Sequence, residues 1–178
     1  MMETLNRVGD RLDRLSFAVL PTLARLVFAG VLLVYFWQSA GTKLGEGIRG
    51  LYNPDFGAYA QIFPRQFEAV GYDPSQLGLY HRLVVLAGTY AEYILPALIL
   101  VGLFTRLAAL GMIGFILVQS ATDIWGHGAE LGAWFDATSG ALIADQRAFW
   151  ILALLILVFK GAGPLSLDRL LFRRSAEA

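Results

Sequence analysis

The chain has no cysteine. That removes disulfides, thiolate metal sites, c-type haem attachment and cysteine nucleophiles from its own repertoire. Charge is also scarce: 16% of the 178 residues are Asp, Glu, Lys or Arg, against about 25% in an ordinary soluble domain. Those charges cancel to a formal net charge of zero, which gives no basis for a nucleic-acid partner. No phosphate-binding loop, nucleophile elbow, haem motif or nucleotide fingerprint is present. What the sequence does have is apolar surface, at 57% of residues. That balance is too apolar for a soluble protein of this size and points to an integral membrane protein.

A helix needs about 20 mostly apolar residues to cross a hydrocarbon core of ~30 Å. Four segments meet or approach this: Phe17–Ala40, which contains Arg25; Leu79–Val101, which contains Glu92; Leu107–Trp125; and the shorter Phe149–Ala162, with Lys160 near its end. The first follows Arg7, Arg11 and Arg14 and resembles a signal peptide, but it is longer than a signal core and lacks a small-residue cleavage site. It reads as a retained helix. The sequence thus predicts an all-α bundle of four transmembrane helices in a single domain over residues 1–178. A long outer loop with short interfacial helices and an amphipathic tail over 166–174 complete it.

Local signals sharpen the boundaries. Asp73, Pro74 and Gln76 fit a helix start, so the second helix is expected to begin at Pro74, well before its apolar stretch. Thr105 is expected to cap the third helix, and Ser166 and Asp168 the tail. The tail would turn Leu167, Leu170 and Leu171 to lipid and Arg169, Arg173 and Arg174 to head groups. Basic residues gather on one side, at Arg7, Arg11, Arg14, Arg106, Lys160, Arg169, Arg173 and Arg174, while the two longer loops are acidic on balance. The positive-inside rule then puts both termini in the cytoplasm. Trp37, Trp125 and Trp150 lie near span ends and read as interfacial anchors. The loop of residues 42–72 carries Tyr52, Phe56, Tyr59, Phe63, Phe67 and Tyr72, with helix starts expected at Asn53-Pro54 and Pro64. It reads as an aromatic interfacial anchor or as a lid over a pocket.

The run Gly102-Leu103-Phe104-Thr105-Arg106-Leu107-Ala108-Ala109-Leu110 resembles the signature of the DoxX family of small bacterial membrane proteins, and Gly161-Ala162-Gly163-Pro164-Leu165-Ser166-Leu167-Asp168 resembles that family's closing motif. Arg25, Gly30, the run Gly41 to Leu44, and Glu92 also fit. The resemblance runs from about Arg25 to Asp168. It implies a four-helix membrane fold in a bacterial plasma membrane. It also implies a role as a subunit of a quinone-linked membrane redox system, or as an accessory or assembly protein of a redox or detoxification complex.

Glu92 is the most informative residue, because a carboxylate inside a span is costly and usually faces the bundle interior or a water path. It reads as a proton relay or a hydrogen-bond partner for a quinone. The structural alternative is an internal pair with Arg25, Tyr90 or Thr89. His81 lies three helical turns earlier, ~16 Å along the axis, and can pass protons near the outer interface. Gln119, Asp123 and His127 share one face if the third helix continues. Asp123 and His127 could hold a divalent metal only if Glu130 or His81 completed the set, and a polar rim is the simpler reading. Lys43 and Arg147 can bind lipid phosphate or an anionic substrate, or pair with Glu46 and Asp145. The candidate site is therefore Glu92 and His81 for catalysis, with Arg25, Lys43, Tyr90, Gln119 and Arg147 around a quinone or substrate. Whether the chain is itself catalytic is left open, with oxidoreductase subunit as the leading class. A small transporter or metal-handling protein is the lesser alternative. Membrane lipids are the expected surroundings, with a protein partner or further copies of the chain.

Overall fold

The computed structural model describes residues 2–173, so the expected head-group contact of Arg174 lies outside the described residues. Eight α-helices are described. They are α1 (Met2–Phe28), α2 (Val34–Gly41), α3 (Phe56–Ile62), α4 (Pro64–Ala69), α5 (Leu79–Val101), α6 (Thr105–Ala121), α7 (Arg147–Lys160) and α8 (Leu167–Arg173). A π-helical turn, Ala29–Leu33, joins α1 to α2 without a break. Two further π turns, Thr122–Gly126 and Leu142–Gln146, extend α6 and precede α7. The result is four rods long and apolar enough to cross a membrane: Asn6–Gly41, Leu79–Val101, Thr105–Gly126 and Leu142–Lys160. The fourth begins earlier than its apolar run, because the polar stretch Asp145-Gln146-Arg147 is helical rather than loop.

Helical periodicity explains the core. Phe28, Leu32 and Phe36 recur every fourth residue on the first rod, and Ala109, Met112 and Ile116 repeat on the third. They meet Ile99 of α5 and Leu154 and Leu157 of α7. The first rod packs on the second and fourth, and the third packs on the same two, so the four close into a ring. Trp150 joins this ring against Tyr35 and Phe36 and is half-buried. It is a core residue and not the interfacial anchor that its position near a span end suggested.

The end of the ring that carries the link between α5 and α6 and the start of α8 is here the terminal face; the other is the loop face. The terminal face is tied by Arg25. Its Nε donates to Ile99 O at 2.9 Å and its Nη1 to Ala162 O at 2.9 Å. Nη1 also donates to Leu165 O, and Nη2 to Leu100 O. These carbonyls belong to the last turn of α5 and to the segment after α7, where helix ends leave carbonyls without intrahelical partners. Gly102 adopts φ +71° to end α5, and a Cβ there would lie 2.8 Å from Arg25 Cζ. Only glycine satisfies both the turn and the guanidinium beside it.

Asp168 completes this closure. Its amide donates to Gly102 O at 2.8 Å, and its carboxylate accepts from the amides of Phe104 at 2.7 Å and Thr105 at 2.9 Å. The third rod is thus capped by a residue far along the chain. Thr105 does not cap it, and its hydroxyl is buried without a partner. Ser166 alone keeps the expected tail-cap role, accepting from the Arg169 amide at 3.3 Å. The expected start of the second helix at Pro74 is also corrected. Asp73 caps only a single 3-10 turn, Pro74–Gln76, and α5 begins at Leu79, after an extended Leu77.

On the loop face, α3 starts at Phe56 with Asp55 as its cap, rather than at Asn53-Pro54, and α4 starts at Pro64. Tyr59 and Phe67 are buried with Ala58 against Val85 of α5. The aromatic loop therefore has its own small core.

Hydrogen bonds to a charged group contribute about 1.5–3 kcal/mol each. Arg25→Met should therefore cost at least about 3 kcal/mol in unfolding of the detergent-purified protein. Arg25→Lys should fall between, because an ammonium lacks the planar fork, and Asp168→Ala should cost about 1–2 kcal/mol as a lost cap. Wild-type stability in Arg25→Met would refute the clamp.

Candidate functional site

The loop-side half of the ring holds a cleft of about 560 Å³. Its walls are mostly small or apolar: Ala87, Gly88 and Ala91 on α5 face Gly111, Gly114 and Phe115 on α6. Small residues let helices approach closely in a membrane, but here they leave a gap. Ala87, Gly114 and Val118 are exposed, so the gap opens on the side of the bundle between α5 and α6. Gln61 and Ile62 of α3 roof the loop end. His127 Nε2 lies 2.9 Å from Gln61 O, and Gly126 sits so close to Pro64 that a Cβ would come within 2.7 Å of it.

The back of the cleft is charged. Lys43 Nζ donates to both carboxylate oxygens of Glu92, at 3.1 and 2.9 Å. Ser39 Oγ accepts from Lys43 at 2.6 Å and donates to Glu92 Oε1 at 3.2 Å. Glu92 is 2% exposed and Lys43 5%. Sequence and helix geometry produce this triad: Ser39 and Lys43 are four residues apart at the end of the first rod. Pro96 lacks the amide that would bond the backbone carbonyl of Glu92, so helix α5 is loosened at the level of the pair.

A second buried pair stands at the loop face. Arg147 is 2% exposed, and its Nη2 donates to Asp123 Oδ2 while Nη1 donates to Ser120 Oγ at 2.9 Å. Asp123 lies within one π turn and Arg147 directly follows another. Such turns widen a helix locally and re-aim side chains. Gln119 Nε2 meets Tyr35 Oη at 3.2 Å, while its Oε1 is buried without a partner. Both residues line the cleft.

The residues expected to form one site are thus separated into groups. Glu92, Lys43 and Gln119 line the cleft together with Asp123 and His127. Arg147 stands behind it, held by Asp123 rather than by Asp145, whose carboxylate accepts from Ala141 N at 2.8 Å. Arg25 is at the opposite end and does not pair with Glu92. Tyr90 Oη donates to Leu51 O and ties down the loop. His81 packs on Phe63 and Tyr80, with Nδ1 buried and unpartnered, away from the cleft lining. Among the described residues no cluster of three or more His, Asp or Glu forms a metal site. Asp123 and His127 are engaged by Arg147 and Gln61 instead. Ser39 and Tyr35 were not singled out from the sequence. The spacing of Ser39 to Lys43 was the available signal for one, and nothing marked the other.

Four membrane-length apolar rods, with buried ion pairs turned inward, define a small multi-pass integral membrane protein. The DoxX family model matches residues 20–128, and the chain belongs to that family. No curated protein and no solved structure matches it. The family match ends before the Gly161–Asp168 segment, which packs back on Gly102 within it.

Removing one partner of a buried ion pair typically costs about 3–5 kcal/mol, whereas replacing both by apolar groups is often neutral. Lys43→Met and Glu92→Gln should each lower unfolding stability by that order, and Lys43→Met/Glu92→Met should recover most of the loss. Additive losses in the double variant would mean that the two side chains do not act as a pair.

Proposed function

We propose that this DoxX protein is a membrane subunit of a quinone-linked redox system, with its termini in the cytoplasm, and that the cleft between α5 and α6 holds the quinone. The observation that carries this reading is a laterally open apolar cleft with an unpartnered buried amide oxygen, Gln119 Oε1, and a proton-bearing triad at its back. A quinone head is flat and apolar with two polar oxygens, and it reaches a protein through the bilayer. A bound quinone would supply two-electron, two-proton chemistry, with electrons from a partner redox protein.

The chain's residues fit that ligand. The Gln119 amide can accept from a hydroxyl through Oε1 or, turned over, donate to a carbonyl through Nε2 while its oxygen takes the Tyr35 hydroxyl. Lys43, Ser39 and Glu92 form a continuous chain of donors and acceptors able to hold or pass a proton at the Glu92 carboxylate. Phe115 and Leu95 exclude water from the walls.

A second reading, an accessory protein that docks a partner, is favoured by residues 125–135. There Trp125, Trp134 and Phe135 are 71%, 65% and 104% exposed on the loop face.

Titration of the detergent-solubilised protein with decylubiquinone, followed by tryptophan fluorescence, separates the two. Saturable binding is expected, weakened about tenfold in Gln119→Leu for one lost hydrogen bond. Binding should be abolished in Gly114→Leu, which adds bulk where nothing lies within 4 Å. Absence of binding by the wild type, with a protein partner co-purifying, would replace the redox reading by the accessory one.

A further inference from the structure

The terminal face holds a second cleft, of about 690 Å³, that shares no residue with the first. We propose that it binds a multiply charged phosphate anion, of the kind presented by a diphosphate phospholipid headgroup. Four cations line it, one from each of four elements: Arg14 of α1, Arg106 of α6, Lys160 of α7 and Arg169 of α8. The positive-inside tendency places basic residues on one side of a membrane, but it does not gather them around one concavity.

These four cations face a single lining carboxylate, Asp168, so the cleft keeps an excess of positive charge. Among the described residues the only ion pairs are Lys43–Glu92 and Arg147–Asp123, both elsewhere. The one carboxylate lining the cleft, Asp168, is occupied by the amides of Phe104 and Thr105. Behind it Arg25 adds a fifth positive charge, hydrogen-bonded to carbonyls and within electrostatic reach of Asp168.

The walls also suit a lipid. Phe17 and Leu107 line the cleft and are 64% and 69% exposed, so the concavity continues onto an apolar surface where acyl chains lie. Lys160 Nζ sits 4.0 Å from the centroid of the Phe17 ring, which holds the ammonium at this boundary. The volume is in the range of about 300–1,000 Å³ typical of small-molecule sites. Basic pockets between membrane helices bind phosphate-rich headgroups for these reasons.

Native mass spectrometry of the full chain in detergent micelles doped with tetraoleoyl cardiolipin or with phosphatidylcholine provides the test. Cardiolipin should be retained over phosphatidylcholine, and Arg106→Gln, Lys160→Gln and Arg169→Gln should each weaken retention about fivefold. Arg49→Gln, an exposed cation on the loop face, should leave it unchanged. Displacement of cardiolipin by pyrophosphate at matched concentration would identify a soluble phosphate as the source. Resistance to pyrophosphate would identify the lipid, and both results uphold the site. Equal retention of the two lipids, or retention unaffected by all three substitutions, overturns it. Lys160 and Arg169 are exposed, so those variants decide the matter even if Arg106→Gln fails to fold.

Discussion

Within hydrocarbon every polar group must find its partner inside the protein, and the Arg25 guanidinium is where this chain meets that demand most fully. It carries five donors in a rigid fork and no acceptor. The ends of α5 and α7 offer carbonyls with no donor of their own. Bringing the two together ties three of the four rods at one level. Asp168 then fixes the fourth end, because the same segment that feeds carbonyls to Arg25 also caps α6. The terminal face is closed by a reciprocal arrangement in which each motif satisfies the other's orphan groups.

The loop face is held differently. Its ion pairs, Lys43–Glu92 and Arg147–Asp123, join rods through side chains rather than through helix ends. Their backbone surroundings are loosened, by Pro96 one turn beyond Glu92 and by π turns at Asp123 and before Arg147. A face tied by carbonyls has little freedom to rearrange without unfolding helix ends. A face tied by side chains can exchange one donor for another while the helices stay intact. The chemistry proposed for the cleft needs that second kind of face.

The four rods were readable from apolar runs alone, since bilayer thickness sets their length. The burial of Glu92 was readable from its place inside a span. Its partner was not. Arg25 lies on the first rod with Ser39, and Lys43 lies just past its end; composition does not rank the two cations. Depth does: Arg25 meets Ile99 and Leu100, about two turns or ~10 Å beyond Glu92 along α5. The first two rods are joined by the long loop of residues 42–78, so counting from a turn does not set their relative depth, and only the fold places Lys43 at the level of the glutamate. The Asp168 cap and the Asp123–Arg147 pair were hidden for another reason. Local spacing suggests local partners, such as Thr105 for α6 and Asp145 for Arg147, while the fold supplies distant ones.

Membrane helices gain little from hydrophobic burial against lipid and associate through close packing and internal polar contacts. A gap of about 560 Å³ between α5 and α6 forgoes that packing along much of their shared length. Ordinary larger side chains at Gly114 or Ala87 would fill it, and the space at Gly114 accepts them without a clash. The Lys43–Glu92 pair beside it carries a desolvation penalty that an apolar pair would avoid. Two departures from the most stable arrangement thus coincide at one place, on the face whose ties are adjustable. The terminal face, where Arg25 and Asp168 are bonded to backbone groups, carries no such buried ion pair among the described residues. The ties of the terminal face run through backbone groups, and the loop face, tied by side chains, is the one that opens between α5 and α6.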